Sequence, residues 1–89
     1  MEKIEQLTKQ VKMVINILEK EYSNEIKKDI FQLIYKSYKN ALEILENNKD
    51  FNRINIIGGV RAYMDSYNDY QNPLLQELHK AENLLKEIL

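Results

Sequence analysis

Only three of the 89 residues are strong helix breakers: the adjacent pair Gly58 and Gly59, and Pro73. An antiparallel sheet reverses direction every few residues and draws on Gly and Pro to do so, which leaves an all-β fold with too little punctuation here. Helix is the remaining reading, and the apolar residues carry helical spacing. Ile4, Leu7, Val11, Val14 and Leu18 step by three and four, so a first helix is expected over about residues 3 to 22. Ser23 and Asn24 favour caps and turns, and Glu25 suits a helical first turn, which predicts a reversal and a second helix over about 25 to 47. Its stripe is Ile26, Ile30, Leu33, Ile34, Tyr38, Ala41, Leu42 and Leu45. One long first helix running through Ser23 is the alternative, although its apolar stripe drifts around the axis when spaced by fours.

Asp50 or Asn52 can accept from the free amides that begin a third helix, whose apolar positions Ile54, Ile57, Val60, Met64 and Tyr67 lie beside Ile56, Tyr63 and Tyr70. A single rod over residues 54 to 70 is expected. Asn72 followed by Pro73 is a strong start signal, because Asn caps and Pro at the first helical position loses no needed amide. Leu74, Leu78, Ala81, Leu85 and Ile88 then define a fourth helix over about 73 to 88. Four amphipathic helices with short connections predict one domain over residues 1–89, an antiparallel up-down four-helix bundle. A three-helix bundle with a long first helix is the alternative, as is a pair of helical hairpins completed by a second subunit.

Composition narrows function more than it names it. Thirteen Lys and Arg against fourteen Asp and Glu leave a net charge of -1, which offers no electrostatic footprint for nucleic acid. Without cysteine there is no disulfide and no thiol chemistry. The start, MEKIEQLTKQ, mixes charged and apolar residues where a secretory signal needs an apolar run, and no stretch approaches the length of a membrane span. A cytoplasmic protein without membrane contact is expected. Eleven Lys against two Arg, with abundant Asn, Ile and Tyr, point to AT-rich codons and a bacterial or archaeal source.

The paired glycines are the first feature in search of a reason, since inside a helix they are about 2 kcal/mol worse than two alanines. Gly58, Ala62 and Ser66 form a ridge of small residues that can face Ser37 and Ala41 at close range, and tight packing of the second and third helices is the leading explanation. A helix starting near Val60 is the next. A partner's backbone docking on the ridge is the third. Tyr63, Tyr67 and Tyr70 line one edge beside Arg61, Asp65 and Asp69, and Tyr and Arg commonly anchor protein interfaces. Asp65 and Asp69 repel each other near a helix C-terminus, where the macrodipole disfavours anions, which suggests a basic partner surface.

Sites for chemistry are sparse. His79 falls beside the fourth helix's apolar seam, and Glu82 and Asn83 stand where a phosphotransfer bundle places Lys and Gly. The single His79–Glu82 pair reverses the spacing used by metal-binding bundles, and no phosphate loop or nucleophile elbow occurs. No enzyme, metal or cofactor is therefore expected. In layout alone the chain resembles the bacteriocin-immunity proteins, small bacterial four-helix bundles of similar size, a likeness that implies a toxin-immunity or antitoxin role as an alternative. The leading expectation is a non-catalytic module that binds another protein through Arg61, Tyr63, Asp65, Tyr67, Asp69 and Tyr70, with Tyr67 and Tyr70 as anchors and a homodimer as the alternative.

Overall fold

The computed structural model describes residues 2–47, 50–66 and 72–89, and places in them four helices: α1 (Glu2–Glu21), α2 (Asp29–Glu46), α3 (Gly59–Ser66) and α4 (Pro73–Ile88). Cross-chain contacts fix their directions. Gln10 Nε2 on α1 donates to the Glu77 carbonyl at 3.0 Å and to its Oε1 at 2.8 Å, while Lys3 pairs with Glu87 at 3.9 Å. Tyr35 donates to Glu19, and Lys12 pairs with Glu46 at 3.4 Å. Both α2 and α4 are therefore antiparallel to α1. Tyr63 of α3 meets Asn72 at the start of α4, whereas Val60 meets Glu82 farther along it, so α3 runs against α4. The order is up, down, up, down, as the apolar stripes imply.

The three long helices carry the core, and α3 with the segment before it closes the gap between α2 and α4. Leu7, Val11, Val14, Leu18, Leu78 and Leu85 are completely buried, the seams read from spacings of three and four. The start of α4 follows its local code: Asn72 Oδ1 accepts from Leu74 N–H at 2.9 Å, and Pro73 occupies the first turn. None of the helices among the described residues is long and apolar enough to cross a membrane.

Two boundaries depart from expectation. The reversal after α1 is real, but Glu25–Lys27 forms only one 3-10 turn, and α2 begins at Asp29 after an extended Lys28. Asp29 has φ +57°, the left-handed region that Asp tolerates better than most side chains, and it redirects the chain into α2. The larger correction concerns the third helix. The side chain of Asp50 does cap, accepting from Asn52 N–H at 3.0 Å, yet the turn it caps is a 3-10 turn of three residues, Phe51–Arg53. Ile54, Asn55, Ile56 and Ile57 then alternate buried, exposed, buried, exposed in extended backbone and a turn. Three β-branched residues in four favour that alternation over helix.

Gly58 and Gly59 thus mark the start of α3 and are not inside a rod. Gly58 has φ +103°, and a Cβ placed there meets nothing within 4 Å, so its role is backbone freedom and close packing with α2 plays no part. At Gly59 a Cβ makes ordinary contacts of 3.7 Å to Glu82 and 3.9 Å to Ile34. The two glycines should therefore respond oppositely to alanine in thermal melts. Gly58→Ala is expected to lose about 1 to 2 kcal/mol through strain at positive φ, and Gly59→Ala to lose nothing or to gain up to about 1 kcal/mol. Equal losses at both positions would refute this assignment.

Candidate functional site

Because the chain is extended from Ile54 to Ile56 and helical only from Gly59, it leaves a cleft against α2 where a longer helix would have packed. The cleft holds about 180 Å³. Ser37 on one side and Gly58, Gly59 and Ala62 on the other give it low walls, while Ile34 and Ile56 form its buried base. Toward the start of α2 it opens into a shallower hollow bounded by Asp29, Ile30, Leu33 and Ser66. The ridge Gly58, Ala62, Ser66 thus lines a groove and does not close one.

Two large apolar side chains stand at this groove in the open. Leu33 on α2 is 66% exposed and Ile57 before α3 is 42% exposed. Both correct the expectation that they belong to core stripes. Leu33 was legible as an outlier, since it stands one residue, about 100° of helical rotation, from Ile34, which with Tyr38, Ala41 and Leu45 makes the buried seam. Single exposed apolar residues are ordinary, but a pair lining one groove concentrates apolar surface where a partner can cover it.

Behind the groove the structure is buried and almost uncharged. Glu82 on α4 is 8% exposed, and its Oε2 accepts from Val60 N–H at 2.9 Å. It caps α3 from another helix, a task that no residue just ahead of α3 performs. Tyr38 is fully buried nearby, and no hydrogen-bond partner meets its hydroxyl among the described residues. Burial first, and the neighbouring Glu82 charge second, raise the Tyr38 phenol above its ordinary range, so it stays neutral at any physiological pH.

Toward the far end of α3, Tyr63 is 3% exposed, which corrects its expected place among the contact residues of that edge. Its ring meets Phe31 edge-on with centroids 6.0 Å apart, and Phe31 stacks on Tyr22 at 5.1 Å. Asn72 joins the cluster, donating through Nδ2 to the hydroxyls of Tyr22 and Tyr63 at 2.8 Å each. Tyr63 is therefore a clamp between helices. Arg61 and Asp65 are exposed on α3. Tyr67, Asp69 and Tyr70 lie outside the described residues. His79 is exposed on α4, and among the described residues no group of three or more His, Cys, Asp or Glu gathers.

A family model described as YeeD uncharacterised protein matches residues 2–89. The chain is also 33% identical over 92 residues to the "Uncharacterized protein YeeD" of Bacillus subtilis (strain 168), covering 92% of this chain and 88% of that relative. No solved structure matches it.

Proposed function

We propose, for a chain that belongs to the YeeD family, that this bundle is a non-catalytic module whose groove between α2 and α3 binds an apolar ridge of another polypeptide. The observation that carries the reading is the pairing of Leu33 and Ile57, exposed together at the groove formed by small residues. Burying an exposed Leu is worth about 1.5 to 3 kcal/mol, and small walls admit a helix or an extended strand without displacing bulk. Arg61 and Asp65 are exposed on α3, the helix that walls one side of the groove, and offer charged residues for the polar rim that surrounds the apolar centre of a protein interface. The proposed surface retains Arg61 and Asp65, replaces Tyr63 by Leu33 and Ile57, and sits on a scaffold braced by Glu82 and Asn72.

Leu33→Asp provides the test. A tagged wild-type chain expressed in its native cell should retain a bound protein, either an untagged copy or another chain, that the variant releases. Helicity and melting should stay within about 0.5 kcal/mol of wild type, because Leu33 is exposed in the monomer. Undiminished retention by the variant removes the groove from consideration.

A further inference from the structure

Exposed charges on the two helices that wall the groove are arranged along their length. On α2, Asp29 and Lys36 lie seven residues apart, about 10 Å along the helix axis, with Leu33 between them. On α3, Arg61 and Asp65 lie four apart, about 6 Å. The two helices run in opposite directions, and Ser66 borders the same hollow as Asp29 while Gly58 borders the same cleft as Ser37. Both acids therefore sit toward one end of the exposed α2–α3 face and both bases toward the other. All four side chains belong to exposed residues, and among the described residues none of them joins an ion pair.

A surface with acid at one end, base at the other and an apolar centre complements itself when turned over. We propose that a second copy of this chain occupies the groove, related by a two-fold axis that crosses the helices near Leu33. This rests on the reading of the groove as a protein-binding surface. In that arrangement Asp29 faces Lys36 of the second copy, Asp65 faces Arg61 of the second copy, and each pairing occurs twice by symmetry. Leu33 packs on Leu33 at the centre of the contact. A parallel arrangement brings like charges together and is disfavoured. A partner of one charge sign leaves one end of the groove repelled.

Single charge reversals on α3 test the proposal. Arg61→Glu makes the α3 rim wholly acidic, and Asp65→Arg makes it wholly basic. In sedimentation velocity over a micromolar dilution series, the wild-type chain should dimerise, and each variant alone should associate about tenfold more weakly. An equimolar mixture of the two variants should recover dimers, now as heterodimers, and raised salt should weaken them. Recovery in the mixture is an outcome that misfolding of either variant cannot produce. A wild-type chain that stays monomeric throughout overturns the proposal, as does a mixture no better than its components. If the wild type is monomeric while Leu33→Asp still releases a captured protein, the second copy is excluded and the binding groove stands.

Discussion

Replacing Asn72 with alanine is expected to lower stability by about 2 to 5 kcal/mol, one of the two largest single-residue losses anticipated for this chain. The estimate has two parts. Loss of the N-cap to Leu74 N–H accounts for about 1 to 2 kcal/mol. The donors to Tyr22 and Tyr63 vanish together, and each net hydrogen bond contributes about 0.5 to 1.5 kcal/mol. For a domain of this size the melting temperature should fall by more than about 10 °C. Asn72→Asp separates the two parts, because an aspartate caps as well as asparagine and also accepts from hydroxyls that rotate to donate to it. It should recover at least half of the loss. An alanine variant that melts within 2 °C or so of wild type would show that the junction of α1, α3 and α4 contributes nothing.

The second large effect is expected at Glu82. Val60 N–H belongs to the first turn of α3, where an amide has no partner within the helix, and the Glu82 carboxylate supplies one from 22 residues away. A hydrogen bond to a charged acceptor contributes about 1.5 to 3 kcal/mol, and Glu82→Ala forfeits it while leaving Val60 N–H buried without a partner. A helix of eight residues is marginal without such support. The loss should therefore be local before it is global. Amide hydrogen exchange in Glu82→Ala should accelerate at Tyr63 and Met64 in α3, with α1 and the second half of α4 still protected. Glu82→Gln keeps an acceptor oxygen and should retain most of the protection. Uniform acceleration across all four helices would mean that α3 has no independent dependence on this cap.

These two positions also determine whether the proposed groove exists in a defined shape. Asn72 holds the far end of α3 through Tyr63, and Glu82 holds its beginning, so the wall formed by Gly58 and Ala62 is fixed from α4. A variant at either position should weaken binding at the groove without touching it. Leu33→Asp should do the reverse, removing binding and sparing stability, so the two effects can be told apart.

Most of the architecture was legible in the sequence because its causes are local. The seam of α1 and the seam of α4 are repeats of three and four residues, and the Asn72–Pro73 start needs only its own neighbours. The candidate site was legible in part: Arg61 and Asp65 are exposed, but Tyr63 is buried and Leu33 and Ile57 are not. In each case the side chain's own chemistry permits both outcomes. An apolar stripe wide enough to span two faces of α2 leaves open which edge meets a neighbour, and a tyrosine serves equally as a wet anchor or a clamped ring.

The paired glycines mark the boundary between what composition and spacing determined and what tertiary contacts decided. Sequence alone required that something unusual happen at Gly58, since the energetic penalty of two glycines in a helix demands a reason. The presence of four helices and the inward faces of α1 and α4 followed from periodicity, which is a property of each segment by itself. β-Branching biases residues 54 to 57 away from helix, and groups far along the chain complete the choice: the carboxylate of Glu82 that accepts from Val60 N–H, and the core space that Ile54 and Ile56 fill. Those interactions join residues that no local spacing relates, and the groove is the gap they leave.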